Sequence, residues 1–393
     1  MTLLLIVIYA AFIGLGVPDS LIGSAWPAIY TEFSVTVDSV SFITLLISGC
    51  TVLSSLFSTR VLNRFGTHAV TAVSTAMTAL SLIGFSFAPC IWWMLPFAAV
   101  LGLGAGAIDA GLNNYVALHF SARQMNFLHG FYGIGVTLSP YLMSVALSNT
   151  GWRDGYRYAA LVQVLITVTV IISFPLWKRK GDENQAGITE SRSLSLLDML
   201  RIPGLKTAWV IMLATNAIEY ACGVWGGTYL VNAKGFAVDR AAAALSLYYL
   251  GMALGRLTSG LISSKVGTWT RIGIGVGIVS VAAVGMILPL PAVFSVIALA
   301  LIGLGNGSIY PNFIHLTPEN FGKENSQAVM GSLIAFAYTG VMLAPPLVGF
   351  VTGAFGIEIY PIMLLSLLVI MAASILLFVL RLKKTNSHKE KEI

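Results

Sequence analysis

An isolated carboxylate within a glycine-rich apolar stretch is the most informative feature of the sequence. Residues 102–115 read Gly-Leu-Gly-Ala-Gly-Ala-Ile-Asp-Ala-Gly-Leu-Asn-Asn-Tyr, and Asp109 is the only Asp, Glu, Lys or Arg between Trp92 and Phe120. A charge in such a run is costly in a membrane unless it faces a partner or a water-filled cavity. Asp109 therefore indicates a polar functional site inside a membrane protein.

Two further acids, Asp19 and Glu219, lie in equally apolar surroundings. No Lys or Arg is placed to neutralise the three acids, and Arg256, near the inner end of its span, comes nearest. A carboxyl group in a low-dielectric cavity disfavours its charged form, so it can take up a proton near neutral pH. We expect Asp19, Asp109 and Glu219 to carry coupling protons. Two alternatives stay open: an acid that only caps polar helix contacts, and sodium at Asp19.

Polar and aromatic residues recur at helical spacing around these acids. Asn113 follows Asp109 by four residues, and His129 precedes Tyr132 by three, so each pair shares a helix face. Carboxylate, amide and phenol groups interleaved with Trp suit a neutral, polyhydroxylated ligand. The alternative for His129 and Trp225 is a role in packing. The expected substrate-binding residues are Asp19, Asp109, Asn113, His129, Tyr132, Glu219, Trp225, Asn306 and Tyr310.

The composition is that of an integral membrane protein. Of 393 residues, 57% are hydrophobic and 10% are charged, whereas soluble domains have about 25% charged residues. Apolar runs of about 20 residues, each long enough to span a bilayer, recur along the chain. The twelve helices predicted from these runs cover residues 3–30, 38–62, 68–88, 91–119, 125–149, 155–177, 204–232, 239–264, 270–288, 291–316, 325–352 and 357–381.

One long polar connection divides the predicted helices into six and six. We expect an N-terminal bundle over residues 1–177, a cytoplasmic linker over 178–203, a C-terminal bundle over 204–381 and a cytoplasmic tail over 382–393. With both termini inside, the outer loops hold only four of the 22 Lys and Arg residues. This asymmetry is typical of the positive-inside rule and supports an even number of spans.

The two halves repeat each other in sequence. Residues 303–310 read Gly-Leu-Gly-Asn-Gly-Ser-Ile-Tyr, which matches residues 102–109 in frame but lacks the acid. Residues 340–345 likewise match residues 135–140, and both segments end in proline. The small residues of these segments suit close helix packing. The alternative, a phosphate-binding loop, lacks both the preceding strand and the Lys-Ser/Thr that it requires.

Two parallel six-helix halves are the architecture of the major facilitator superfamily, and the chain resembles that superfamily over its whole length. The superfamily signature after the second span is a glycine, an acid–arginine pair, a glycine and further basic residues. Here Arg64 and Gly66 match, whereas Asn63 replaces the acid and Thr67 a basic residue. The resemblance implies the fold but not the usual charge-relay latch.

Within the superfamily, the chain resembles the fucose–glucose/galactose branch of proton-coupled sugar permeases. Residues 19–23 stand where that branch has an Asp, a short apolar step and a break. Asp109 and Asn113 stand where it has an acid and an Asn four residues later. The fifth span carries the corresponding series Asn126, His129, Tyr132 and Gly135.

This resemblance implies that Asp19 and Asp109 are the proton- and sugar-linked acids, with His129 and Tyr132 at sugar-contacting positions. The branch has Glu in place of Asp109 and amides in place of His129 and Tyr132, so hexose selectivity does not carry over. We expect a secondary transporter that imports a small polar solute, a sugar or sugar derivative, by proton symport with alternating access. The alternatives are a proton-driven exporter of drugs or amphipathic compounds, and a membrane sensor on the same scaffold.

Several absences are also expected. No Ser-His-Asp arrangement, metal-ligand spacing or dinucleotide loop stands out, so we expect no enzyme activity, no metal and no cofactor. The net charge of +6 comes from basic residues at span ends and does not indicate a nucleic-acid partner. We expect a monomer in the cytoplasmic (inner) membrane, with both termini cytoplasmic.

Overall fold

The structure is a computed structural model that describes residues 2–120, 122–178, 196–322 and 325–389. These residues form α-helices and two 3-10 turns, with no strand among them. The helices are α1 Thr2–Asp19, α2 Leu21–Glu32, α3 Val40–Ser86, α4 Ile91–His119, α5 Ala122–Asn149, α6 Trp152–Ile172, α7 Phe174–Lys178, α8 Leu196–Arg201, α9 Leu205–Asn232, α10 Val238–Leu261, α11 Thr268–Ile287, α12 Val293–His315, α13 Thr317–Phe321, α14 Ser326–Phe355 and α15 Tyr360–Lys389.

The prediction of an all-α membrane protein with twelve spans is confirmed. In the described residues, eleven helical segments are long and apolar enough to cross a membrane. The twelfth is α10, which carries Arg240 and Arg256 and packs against α5 and α12. A helix satisfies its own backbone hydrogen bonds, so these apolar runs can cross a bilayer without exposing unpaired polar groups.

One predicted span differs from the observed helices. The first span is broken at Ser20 into α1 and α2, two residues after Pro18. The second and third spans, which together make up α3, meet at Gly66, where φ is +77° and ψ is 156°. These angles are not helical and the positive φ favours glycine, so Gly66 separates two helices in the region between spans that the sequence predicts.

The sequence repeat is also a repeat of helix contacts. A Cβ atom at Gly102 would collide with the carbonyl oxygen of Ile47, and one at Gly303 would collide with that of Tyr248. Both residues of the second contact lie 201 positions after their counterparts in the first contact. α4 therefore packs on the first part of α3 as α12 packs on α10, and glycine permits the close approach in both places.

Helices α1–α6, which we call the N-terminal half, meet helices α9–α15, the C-terminal half, along α2 and the second half of α9. A Cβ at Gly23 would collide with the carbonyl oxygen of Gly223, and Tyr30 Oη donates to Asn232 Oδ1 at 2.8 Å. We call this region the closed end. Two more hydrogen bonds between the halves run from Ser41 Oγ to Pro345 O at 3.3 Å and from Ser246 Oγ to Thr137 O at 2.6 Å.

The predicted linker, residues 178–203, lies largely outside the described residues. Its last part forms α8 and leads into α9 through Gly204, which has a φ of +84°. The last helix, α15, continues past the predicted span end at residue 381 as far as Lys389. The final residues of the predicted tail, 390–393, also lie outside the described residues.

Replacing Gly102 by Ala will destabilise the protein, because the added methyl group collides with the Ile47 carbonyl. Overpacking of this kind costs about 1–3 kcal/mol, which a lower thermal unfolding midpoint in detergent will report. Gly277→Ala in α11 is the matched control, because its Cβ would meet no atom within 4 Å. Equal midpoints for the two variants would show that the α3–α4 contact tolerates a side chain.

Candidate functional site

Asp109 is held by one partner from each half of the protein. Asn113 Nδ2, one turn along α4, donates to Asp109 Oδ1 at 2.8 Å. Tyr338 Oη, on α14 of the C-terminal half, donates to Asp109 Oδ2 at 2.9 Å. The carboxylate thus uses both oxygens in hydrogen bonds, and one of those bonds joins the N-terminal half to the C-terminal half.

Asp19 is placed by the close packing of α1 on α5. A Cβ at Gly16 would collide with the carbonyl oxygen of Tyr132, so the two backbones touch. Tyr132 Oη reaches back to donate to Asp19 Oδ2 at 2.7 Å. Next to the acid, the hydroxyls of Ser20 and Ser139 lie 2.6 Å apart. The break after Asp19 leaves the acid at a helix end, where polar partners are already present.

Glu219 differs from the other two acids because it has a cationic partner. Arg256 Nη2 lies 3.4 Å from Glu219 Oε2, and the two side chains are 25% and 13% exposed. The expectation that no Lys or Arg neutralises the intramembrane acids is therefore wrong for Glu219. Arg256 lies five residues before the end of α10, and its long side chain reaches the acid on α9.

Two more expected residues border the same space. Tyr310 is partly exposed and interacts electrostatically with Asp109, Glu219 and Arg256. His129 is exposed, packs edge-on against Phe12 with ring centroids 5.9 Å apart, and interacts electrostatically with Arg256. The exposed surface of these two polar side chains indicates that each borders a solvent-accessible space as well as packing against neighbouring side chains.

Trp225 and Asn306 are not brought to this site. Trp225 is fully buried and its Nε1 donates to the carbonyl oxygen of Pro345 at 3.0 Å. Asn306 is 1% exposed and its Nδ2 donates to the carbonyl oxygen of Thr215 at 3.0 Å. Their spacing on the helix suggested ligand contact, but both side chains join helices within the C-terminal half.

Sequence reasoning did not find Tyr338, although a signal was present. Tyr132 lies three residues before Gly135, and Tyr338 lies two residues before Gly340. These glycines belong to the repeated segments of the fifth and eleventh spans, so each half presents a phenol next to the same packing glycine. Tyr220, which follows Glu219 in the sequence, interacts electrostatically with both Asp19 and Glu219.

The arrangement suits proton exchange and hydrogen bonding to a solute. Among the described residues, neither Asp19 nor Asp109 forms an ion pair with Lys or Arg. Each can therefore gain a proton without leaving a cation unpaired, while neutral phenol and amide donors stay in place. Within the same residues, no three His, Cys, Asp or Glu side chains are close enough to hold a metal ion.

A bundle of membrane-spanning helices in two repeated halves, with a polar site between them, defines a membrane transporter. The chain matches the Major Facilitator Superfamily over residues 4–333 and 296–393. It belongs to that superfamily, which confirms the relationship inferred from the sequence. The superfamily and the solved structures that resemble the chain are transporters.

Curated relatives match only part of the chain. The niacin transporter NiaP of Acinetobacter baylyi is 25% identical over 123 residues, which are 30% of this chain and 28% of that protein. The purine ribonucleoside efflux pump NepI of Salmonella paratyphi A is 24% identical over 190 residues, 47% of this chain and 46% of that protein. The chain thus aligns with less than half the length of either relative.

Solved structures match nearly the whole chain. A mutant of the nucleoside transporter NupG has a TM-score of 0.75 at 13% identity, and the match covers 95% of this chain and 98% of that one. The transporter FucP, in its outward conformation, has a TM-score of 0.62 at 15% identity, with the same two coverages. At these identities the similarity establishes the fold alone.

Replacing Tyr338 by Phe will weaken the association of the two halves, because it removes the hydrogen bond to Asp109. The measurement is disulfide cross-linking between cysteines placed at Tyr30 and Asn232, in a variant without its native cysteines. The lost hydrogen bond contributes about 1 kcal/mol, so the ratio of the cross-linked form to the open form falls roughly fivefold. Tyr141→Phe, at an exposed site on α5, is the control. Unchanged cross-linking in Tyr338→Phe would contradict the assignment.

Proposed function

We propose that the protein is a proton-coupled secondary transporter that imports a small polar solute, a sugar or sugar derivative. The observation that carries this proposal is the carboxylate of Asp109, which accepts hydrogen bonds from both halves of the protein. Protonation of such a group, or its contact with a solute, changes a bond between the halves directly. Binding at the site is thereby linked to the relative movement of the halves.

The proposed transport cycle uses this shared acid. A solute hydroxyl that donates to Asp109 Oδ2 takes the place of the Tyr338 hydroxyl, and the phenol is then free to bind the solute instead. Asp19 and Tyr132 form a second acid–phenol pair at 2.7 Å. Rocking of the two bundles, residues 1–177 and 204–381, then exposes the site to each side of the membrane in turn.

The proposed proton carriers are Asp19 and Asp109. Glu219 already has Arg256 as its ionic partner, so we now assign it to the ion pair with Arg256 at the solute site and not to the proton. The remaining contacts come from Asn113, His129, Tyr132 and Tyr310. Their amide, imidazole and phenol groups both donate and accept hydrogen bonds, as a solute rich in hydroxyl groups requires.

The chain is proposed to act as a monomer in the inner membrane with both termini cytoplasmic. The basic residues then lie mainly on the cytoplasmic side, as the positive-inside rule requires. In this orientation the closed end, where Tyr30 donates to Asn232, faces away from the cytoplasm. The site would then open toward the cytoplasm in the conformation described here.

Export in exchange for protons is the second candidate. The observation that favours it is the similarity to the purine ribonucleoside efflux pump of Salmonella, which is 24% identical over 190 residues. A ribonucleoside contains a hydroxylated sugar, so the same acids and phenols suit it. The two candidates differ in the direction of solute movement relative to the proton gradient.

The test is proton movement in proteoliposomes that contain the purified protein and an internal pH indicator. We expect one solute of a sugar panel to drive proton entry, and Asp19→Asn and Asp109→Asn each to lower the initial rate at least tenfold. Asp239→Asn, in the first turn of α10, is the matched control and keeps the rate. A parallel set of vesicles with a sodium gradient distinguishes sodium coupling.

The same vesicles decide the direction of transport. If no sugar moves protons, and an imposed proton gradient instead expels a purine ribonucleoside or a cationic dye, the export candidate replaces the import proposal. Full activity of both Asp variants would contradict the assignment of the two acids, whichever the direction.

A further inference from the structure

Arg256 uses few of its hydrogen-bond donors. Its Nη2 atom lies 3.4 and 3.5 Å from the two carboxylate oxygens of Glu219 and 3.5 Å from Met252 Sδ. Charge-assisted hydrogen bonds of this kind are normally about 2.7–2.9 Å long. In the described residues, Arg256 therefore has one weak ionic contact, and its Nε and Nη1 atoms make no hydrogen bond there.

Arg271 is an internal comparison, because it is another arginine of the C-terminal half and lies largely away from solvent. Its Nε, Nη1 and Nη2 atoms all donate, to Val266 O, to Ser259 and to Thr268 Oγ1, at 3.0–3.2 Å. Every nitrogen of that guanidinium thus has a hydrogen bond, and the bonds to Ser259 link α11 to α10. The difference indicates that Arg256 is not an equivalent structural contact.

The environment of Arg256 is the proposed solute site. Its side chain is 25% exposed, and it interacts electrostatically with His129 of α5 and Tyr310 of α12. Tyr310 in turn interacts with Asp109. Arg256 and Asp109, from opposite halves, therefore both lie within electrostatic range of Tyr310.

A guanidinium with unused donors in a membrane bundle has a high affinity for a planar anion. Its two parallel N–H groups match the two oxygens of a carboxylate, and the bidentate pair is stronger than a single contact. Glu219 does not supply this pair, because both of its oxygens approach the same nitrogen. A charged side chain on a membrane-spanning helix is by default a candidate for contact with the transported species.

We propose that Arg256 binds a carboxylate group on the solute, so that the transported class is polyhydroxy carboxylates, or sugar acids. The carboxylate lies against Arg256, and the hydroxyl groups contact Asp109, Asn113 and the Asp19–Tyr132 pair. This inference rests on the proposed function for the hydroxyl-binding part and adds the charge of the solute. Glu219 competes with the solute for the guanidinium.

The test is calorimetric binding to the purified protein with ligand pairs that differ only in charge. The pairs are gluconate with gluconamide, and glucuronate with glucuronamide. We expect the wild type to bind at least one of the acids tenfold or more tightly than its amide, as a charged hydrogen bond implies. Arg256→Gln removes this preference, and Arg256→Lys retains part of it.

Two further variants make the result specific. Glu219→Gln removes the competing carboxylate, so the affinity for the acid rises, a gain that damage to the fold would not produce. Arg240→Gln is the matched control, since Arg240 is an exposed arginine in the first turn of the same helix, and it leaves both affinities unchanged. If Arg256→Gln does not fold, Glu219→Gln decides the question alone.

The inference is overturned if acid and amide bind equally, if neither binds, or if Glu219→Gln weakens binding of the acid. Its failure is distinguishable from failure of the proposed function. If a neutral sugar drives proton entry and this entry depends on Asp109, the transporter proposal holds and only the proposed solute carboxylate is rejected. Absence of proton-coupled movement of any hydroxylated solute would remove the proposed function itself.

Discussion

The carboxylate of Asp109 is the group on which the arrangement of the site depends. A buried acid in a membrane protein needs polar partners, because the surrounding lipid and apolar side chains provide none. Asp109 takes one partner from its own helix, Asn113, and the other, Tyr338, from the opposite half. The hydrogen bond from Tyr338 forms only while the two halves are close together around Asp109. In our proposal, a proton or a solute hydroxyl that satisfies Asp109 in another way removes this bond and so permits a different arrangement of the halves.

The two halves share the same pattern of helix packing, and the proposed functional residues lie at positions where the two halves differ in sequence. Glycines 201 residues apart bring α4 onto α3 and α12 onto α10 in the same manner. In the sequence repeat, Asp109 corresponds to Tyr310, which lies 201 positions later. Asp19 corresponds to Glu219, which lies 200 positions later. Asp19 has a neutral phenol as its partner, whereas Glu219 has Arg256. This difference underlies our proposal that the acids of the N-terminal half exchange protons and that the charged pair of the C-terminal half binds an anion.

Much of this was predictable from the sequence, because helix length, apolar runs and the glycine repeat are local properties. The spans, the repeat and the Asp109–Asn113 pair depend on spacing along a single helix. The Tyr338–Asp109 bond and the Arg256–Glu219 pair depend on which helices become neighbours and how far a long side chain reaches. Trp225 and Asn306 illustrate the reverse error. Their spacing resembled that of a binding face, but the rotation of each helix turns them toward a neighbour, and spacing alone does not give that rotation.

The most direct test of the central claim is a double-mutant cycle between Asp109→Ala, which removes the acceptor of the Tyr338 hydroxyl, and Tyr338→Phe, measured as the initial rate of proton-driven solute uptake. If the hydrogen bond between these residues couples the site to the movement of the halves, the two substitutions act on one interaction. The double variant is then no slower than the slower single variant, and the interaction energy is about 1 kcal/mol or more. Additive effects, in which the double variant loses the product of the two single losses, would contradict the account.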